Sequence, residues 1–345
     1  MRTVQVVLPD GIDDPARPSG GNVYDRQVCH GLAAMGWSVR EHPVPGDWPR
    51  PDAAARACLA GMLAGLADGA VVLLDGLIAS SVPEVLVPEA DRLRLVVLMH
   101  MPVDDASERA VVLAAAAVIT TSGWTRRWLL ERYPLEPGGV RVAEPGVAPA
   151  GLAQGTAAGA ELLCVGALTP GKGHDVLLGA LAMLDEPRPR CMCVGSLTRD
   201  PAYVCGLRWH LRAAGIGDRV CFSGPKVGTE LDAAYAAADV LVLASRAETY
   251  GMVVAEALAR GIPVIATRVG GVSEALGRGA DGNRPGLLVP PGDPAALAAA
   301  LRRWLGDAEL RRELRRTARE RRATLAGWPD TADRIARVLA GVAAE

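Results

Sequence analysis

The chain alternates between two patterns of apolar and polar residues. Short, nearly continuous apolar runs are separated by longer stretches in which apolar residues recur every three to four positions. The first pattern suits a strand buried on both faces and the second an amphipathic helix. Their regular alternation predicts repeated βα units around parallel sheets. In the first half, strands are expected at Val4 to Leu8, Ser38 to His42, Ala70 to Leu74, Arg94 to Met99, Ala117 to Thr120 and Val140 to Ala143. Pro145 to Gly159 (PGVAPAGLAQGTAAG) has no periodicity and is dense in Gly, Ala and Pro, as an interdomain linker would be. The pattern then restarts, with strands at Glu161 to Val165, Arg190 to Val194, Val220 to Phe222, Val240 to Leu243, Val264 to Ala266 and Gly286 to Val289. The expectation is an α/β chain of two tandem Rossmann-like, doubly wound domains, residues 1–148 and 149–327. A final amphipathic helix is expected from Trp328, with Ala332, Ile335, Val338 and Leu339 on one face.

Composition narrows the function. A length of 345 residues suits two domains, and half the residues are apolar. The formal net charge of −2 lacks the cationic excess that phosphate neutralisation requires, so no nucleic-acid partner is expected. One basic run, Arg311 to Arg322, is interleaved with acidic residues and reads as a solvated helix face, or at most as a peripheral contact with an anionic membrane. The start, MRTVQVVLPD, enters a strand at once without a secretory pattern, and no apolar stretch reaches membrane-spanning length, so a cytoplasmic location is expected. The seven cysteines are scattered without a C-x-x-C and read as small buried hydrophobes in a reducing compartment. The histidines lie far apart and no Asp-x-Asp occurs, so chemistry without a metal or other cofactor is expected.

In doubly wound sheets, ligands bind beyond the carboxyl ends of strands, where loops enter helices. After Val240 to Leu243 the chain reads Ser245-Arg246-Ala247-Glu248-Thr249-Tyr250-Gly251-Met252-Val253-Val254-Ala255-Glu256. A helix starting near Gly251 would offer the amides of Gly251, Met252 and Val253 to a phosphate or diphosphate, with no cation needed. Glu248 on one side of those amides could accept from sugar hydroxyls. Glu256, roughly 7 Å further along the helix axis, could hold a ribose or could be a solvated charge. Thr249 and Tyr250 lie between. After Glu161 to Val165 comes Val165-Gly166-Ala167-Leu168-Thr169-Pro170-Gly171-Lys172-Gly173-His174-Asp175. It nearly matches a P-loop, but Gly173 stands where a Ser or Thr would reach magnesium. A simpler reading keeps Gly171 and Lys172 as a glycine-rich turn aiming an ammonium at a diphosphate. Lys172 and Lys226 are the only lysines among 37 basic residues, as though a compact ammonium were needed there. On the N-terminal side, Pro18-Ser19-Gly20-Gly21-Asn22 joins the first strand to a helix and could approach a ligand closely. Asp13 and Asp14 in the same loop, and Asp75 at another strand end, are candidates for acceptor hydroxyls, and His100 closes the apolar strand Leu95 to Met99.

These residues resemble family 4 glycosyltransferases of the GT-B fold. The resemblance rests on Gly171-Lys172-Gly173, the E-x7-E of Glu248 and Glu256, Gly261 to Thr267 with Gly270-Gly271, Gly20-Gly21, His100, Ser122 and Pro145-Gly146-Val147, and it covers essentially the whole chain. It implies two Rossmann-like domains facing a cleft, with the terminal helix, residues 328–345, crossing back to the first. It also implies transfer of a sugar from a nucleotide-diphosphate sugar to a hydroxyl acceptor, without metal and with retention of anomeric configuration. Glu248 and His100 would then contact the transferred sugar, Glu256 the ribose, and Lys172 with the amides at Gly251 to Val253 the diphosphate. The loop Ser223 to Val227, holding Gly224 and Lys226, would lie near the base. One departure stands out: Ala167 occupies a position where the family usually has an Arg that shares the diphosphate charge. Lys172, Arg246 and Lys226 are the possible substitutes, and a catalytically silent nucleotide-sugar binding protein is the alternative. Dehydrogenase and epimerase readings lack a G-x-G-x-x-G after the first strand of either half.

Overall fold

The computed structural model describes residues 2–16, 18–186 and 188–344. All twelve expected strands are present, six with the expected bounds and six extended, trimmed or shifted by a residue or two. They are β1 (Thr3–Pro9), β2 (Ser38–Val44), β3 (Val71–Asp75), β4 (Arg94–Met99), β5 (Ala117–Thr120), β6 (Val140–Val142), β7 (Glu161–Val165), β8 (Arg190–Val194), β9 (Val220–Gly224), β10 (Val240–Leu243), β11 (Val264–Thr267) and β12 (Gly286–Val289). They form two six-stranded sheets, ordered β2-β1-β3-β4-β5-β6 and β12-β11-β10-β7-β8-β9. Every pairing is parallel, with registers such as Val6↔Leu73 and Leu163↔Met192. The central strands β3, β5, β10 and β11 are buried at every residue, because helices cover both faces.

Strand order reverses once in each sheet, between β1 and β3 in the first and between β7 and β10 in the second. Connections leave in opposite directions at such a point, and the loops beyond the strand ends part to leave a crevice. Both reversals coincide with the loops that the sequence marks as carrying chemistry.

The chain divides into two compact units. The first runs from the amino terminus to Asp13, resumes over Gly20–Gly146, and takes in Ala326 to the carboxyl terminus; the second comprises Asp14–Ser19 and Val147–Leu325. The terminal helix Trp328–Val342 is therefore part of the first unit's core. Ile335 and Leu339 are fully buried in its apolar cluster, each worth about 1.5–3 kcal/mol of transfer energy. Thr331 donates to the Glu144 carbonyl at 2.7 Å, and Trp328 packs edge-on to Tyr24 at 5.7 Å.

The segment after Gly146 is irregular but tied down. Asp239, fully buried, accepts from the Thr156 hydroxyl at 2.6 Å and the Glu161 amide at 3.0 Å, and pairs with Arg315 at 2.7 Å. Arg311 and Arg322 donate to the carbonyls of Ala157 and Ala150. Part of the basic run thus stitches the linker to the second unit, while Arg312 and Arg316 make the expected pairs along the helix with Glu309 and Glu320. The cysteine expectation needs correction. Cys29, Cys164, Cys191 and Cys193 are buried, but Cys58 and Cys205 lie on outward helix faces and Cys221 on the outer face of edge strand β9, all exposed.

Candidate functional site

At the second unit's reversal, the loop after β7 meets the loop after β10. Pro170–Lys172 forms a single 3-10 turn, and Lys172 Nζ lies 2.5 Å from Glu248 Oε1. Ser245 donates its hydroxyl to the same oxygen at 2.8 Å, and Thr267 donates to the Ser245 carbonyl at 2.5 Å. Glu248 is 8% exposed, so this carboxylate is fixed by its donors and not free in solvent. Lys172 is about one-third exposed, and an ammonium carries three donors, of which Glu248 takes one.

Two glycines make the approach possible. Gly173 sits at φ +66°, and a Cβ there would come within 2.0 Å of the Ala244 carbonyl oxygen, which is why no Ser or Thr can complete a P-loop. At Gly270 a Cβ would lie 1.6 Å from the Glu248 carbonyl oxygen, so the turn after β11 packs directly on the Glu248 backbone. Arg246 joins the two loops. Its amide donates to the Gly171 carbonyl at 2.8 Å, and its guanidinium to the Pro170 carbonyl and to both oxygens of Asp175. That pairing first, and the Tyr203 hydroxyl with it, hold the Asp175 carboxyl down at about 2 despite its partial burial.

Gly251 takes a left-handed conformation, φ +89°, and caps the helix Met252–Ala259. The Val254 amide folds back onto the Gly251 carbonyl, and the Met252 and Val253 amides donate to no acceptor among the described residues. They are the open donors of a helix start. Tyr250 departs from expectation. It is 7% exposed and belongs to the apolar cluster with Leu243, Val254 and Val272, because the reversal at Gly251 turns its ring inward; Thr249 remains half-buried. Glu256 is not a solvated charge. Its Oε2 accepts from the Tyr235 hydroxyl at 2.7 Å, and burial raises its carboxyl above the usual range. Gly224 ends β9, and Lys226 beyond it pairs with no carboxylate among the described residues. Of the cations named as substitutes for an arginine at Ala167, Arg246 is committed to Asp175, whereas Lys172 keeps donors beyond the one that Glu248 takes.

At the first unit's reversal the assembly is different. Gly20 and Gly21 are not loop residues but the first turn of the helix Gly20–Ala34, followed by the half-buried Asn22. A Cβ on Gly21 would lie 3.4 Å from His100 Cδ2, so the helix start rests on the imidazole. His100 Nε2 lies 2.7 Å from Asp25 Oδ1 and 3.7 Å from Asp75 Oδ2. Asp75 is 5% exposed and caps the following turn through the amides of Leu77 and Ile78. Its expected role toward an acceptor hydroxyl is therefore corrected: the carboxyl is buried and already engaged. Burial, and Asp25 beside it, push the Asp75 carboxyl up to about 7. Burial alone would lower the His100 imidazole, but the two aspartates outweigh it and raise it to about 9. Asp13 is clasped by Arg26, which also holds Glu41, and Asp14 accepts from the Ala16 amide within its own turn.

The sequence reading missed Asp25. The available signal was its position in the stripe Gly21, Asp25, Val28, Leu32, where a charge interrupts an otherwise apolar helix face. It also missed a second juxtaposition. Cys164 and Cys193 are register partners on β7 and β8, and their sulfurs lie within 4.8 Å of a His174 ring nitrogen, all three buried. Histidines and cysteines far apart in sequence do meet in the fold, in a way that spacing alone could not reveal.

Residues 158–321 match the family model for "Glycosyl transferases group 1". Over 258 residues the chain is 35% identical to a D-inositol 3-phosphate glycosyltransferase of Acidothermus cellulolyticus, a match covering 68% of this chain. The chain spans only 56% of that relative's length. Among solved structures, sucrose-phosphate synthase from Thermosynechococcus elongatus superposes with a TM-score of 0.82 over 100% of both chains at 24% identity. An Anabaena protein, Alr3699/HepE, solved in complex with UDP-glucose, superposes with a TM-score of 0.76 over 99% of this chain and 100% of its own, at 18% identity. No described helix is long and apolar enough to cross a membrane. The comparisons converge on a glycosyl transferases group 1 domain over residues 158–321, within a chain of GT-B fold.

Proposed function

We propose that this chain is a retaining, metal-independent glycosyltransferase that moves a sugar from a nucleotide-diphosphate sugar to a hydroxyl acceptor. The observation that carries the reading is that the two loops at one strand-order reversal supply a lysine ammonium, held by Glu248, and two unclaimed helix-start amides. As the nucleotide diphosphate leaves, negative charge develops on its oxygens. Lys172 and the amides of Met252 and Val253 are fixed donors for that charge, needing no cation and little rearrangement. One such donor is typically worth about 3 kcal/mol in the transition state.

In this reading Glu248 has a double task. Its Oε1 orients the Lys172 ammonium, and its Oε2 accepts from a hydroxyl of the transferred sugar. Glu256, steadied by Tyr235, accepts from the ribose, and Lys226 stands for the cation missing at Ala167. His100 keeps the sugar contact that the family resemblance assigns to it. The acceptor oxygen bonds to the anomeric carbon as the bond from that carbon to the phosphate oxygen breaks. The acceptor proton passes to the departing diphosphate, on the face the donor leaves. A uridine donor is favoured because the Anabaena neighbour was solved with UDP-glucose.

The test is transfer from a panel of UDP-, GDP-, ADP- and TDP-sugars after metal chelation, with Glu248→Gln and Lys172→Ala alongside. Each variant is expected to lose at least about a hundredfold in kcat while keeping the wild-type fold. Near-normal activity in both, or dependence on an added divalent ion, would refute the assignment. A second reading, a nucleotide-sugar binding protein without turnover, is favoured by Ala167 and by the commitment of Arg246 to Asp175. It wins if UDP raises the melting temperature but no donor is cleaved or transferred.

A further inference from the structure

The cluster under Gly21 presents a charge problem. Asp25, Asp75 and His100 come from the helix Gly20–Ala34, the end of β3 and the residue after β4, and their ligand-type atoms all lie within 4.8 Å of one another. Asp25 is 1% exposed, and its Oδ2 is buried without a hydrogen-bond partner among the described residues. Asp75 spends Oδ1 on two backbone amides, leaving Oδ2 toward the cluster. Two bare carboxylates beside a neutral imidazole would place two uncompensated negative charges in a nearly dry pocket, which desolvation penalises heavily. Two protons resolve it. One on Asp75 Oδ2 faces the Asp25 carboxylate, their ligand-type atoms lying within 4.8 Å of each other. The other, on His100 Nε2, donates to Asp25 Oδ1 over 2.7 Å, direct hydrogen-bond contact. The cluster is then a neutral carboxylic acid against a carboxylate–imidazolium pair, without net charge.

We propose that Asp25 and Asp75 are positioning residues that share one proton and hold His100 as an imidazolium with Nε2 turned inward, so that the ring offers a ligand only its Nδ1–H donor. The groups that face the ring are few. Tyr24 meets it edge-on at 5.2 Å, and on the terminal helix Arg334, paired with Glu144, bears on Tyr24. The cluster's own two aspartates remain the charges that act on the imidazole. The consequence concerns specificity. An imidazolium cannot serve as general base, and the atom it meets must be an acceptor, a sugar hydroxyl oxygen or a phosphate oxygen. This inference rests on the reading of His100 as a sugar contact only for its purpose, not for its charge state.

The test is long-range proton–nitrogen NMR of the full chain labelled with nitrogen-15 histidine, without substrate, with the His100 signals assigned by their loss in His100→Gln. The expected result is an imidazolium signature at pH 7 that persists to pH 8. In Asp75→Asn the amide still donates to Asp25, so the signature should persist there too. In Asp25→Asn the anion is gone, the ring should be neutral at pH 7, and kcat for transfer should fall at least tenfold with donor KM changed less than threefold. A neutral wild-type ring at pH 7 would overturn the proposal. So would equal behaviour of the two asparagine variants, or His100 signals that move when zinc is added or removed by chelation. Because the wild-type spectrum needs neither substrate nor a variant, absence of transfer from any donor would sink the functional reading and leave this one intact.

Discussion

The two strand-order reversals, one beside the first and third strands of its unit and the other beside the first and fourth, solve different electrostatic problems. In the second unit a cation faces an anion, Lys172 against Glu248, and the pair balances its own charge. In the first unit two acids face one base, and the cluster of Asp25, Asp75 and His100 must hold borrowed protons to be neutral. The first arrangement suits a fixed electrostatic task, the second a group whose hydrogen-bonding role is set by protonation. Their supports differ as well. The second unit's pair stands on two loops locked together by Arg246 and by the glycines at 173 and 270, whereas the first unit's cluster is held by packing between a helix start and two strand ends.

The sharpest way to break the comparison is to ask whether Lys172 needs to be a lysine. Lys172→Ala is expected to reduce kcat by about a hundredfold to a thousandfold, as loss of a fixed transition-state donor does. Lys172→Arg should recover less than a tenth of that loss. The lysine stem runs past Gly166, where even an added Cβ would lie 3.5 Å from Lys172 Cδ, and a planar fork does not present its donors from one point as the ammonium does. Full activity in Lys172→Arg under steady-state assay would mean that charge alone matters and that the scarcity of lysine is accidental.

A smaller effect is expected from Arg246, which touches no proposed ligand position but bolts the Gly171 turn to the Glu248 loop. Arg246→Ala should raise donor KM by about tenfold and leave kcat within threefold, since it loosens a preformed anion site without deleting a donor. A collapse of kcat instead would show that Arg246 reaches the diphosphate and replaces the arginine missing at Ala167.

Legibility differed between the two units for the same reason. Periodicity revealed every strand, because burial on both faces leaves continuous apolar runs. The second unit's site was also readable, since Gly171-Lys172 and Glu248 to Glu256 are contiguous segments whose spacing reports a turn and a helix start. The inward packing of Tyr250 was not, because it follows from the left-handed turn at Gly251 and not from the residue itself. In the first unit, His100 and Asp75 were visible as strand-end residues, but their relation was not. It depends on Asp25 from a third element and on a burial that converts a solvent-facing acid into a buried partner. Clusters built from single residues on separate elements, Cys164, His174 and Cys193 among them, leave no local pattern.

The smallest expected effect separates the two units by pH. His100 is raised in the folded state from 6.5 to about 9, so its contribution to stability is fully present below pH 6.5 and is lost as pH rises through about 9. Asp75, raised from 3.8 to about 7, acts in the same sense at lower pH, its contribution lost as pH rises through about 7. Asp175 in the second unit is lowered from 3.8 to about 2, so its contribution is present above pH 3.8 and lost only as pH falls through about 2. Between pH 7 and 9 the first unit should therefore weaken by about 1 kcal/mol through its cluster, discounted because the two groups titrate together. Buried thiols supply the reporters: Cys29 in the first unit, Cys164 and Cys193 in the second. Burial pushes the Cys29 thiol up to about 12, so it should label only when the unit opens. Brief maleimide pulses across a urea series, read peptide by peptide, should give a Cys29 midpoint that falls from pH 7 to 9 in the wild type. In His100→Gln that decline should be flatter, with the pH response of Cys164 unchanged. An equally steep decline without the imidazole would mean that His100 carries no shifted proton, and the contrast between the two reversals would then be one of shape and not of charge.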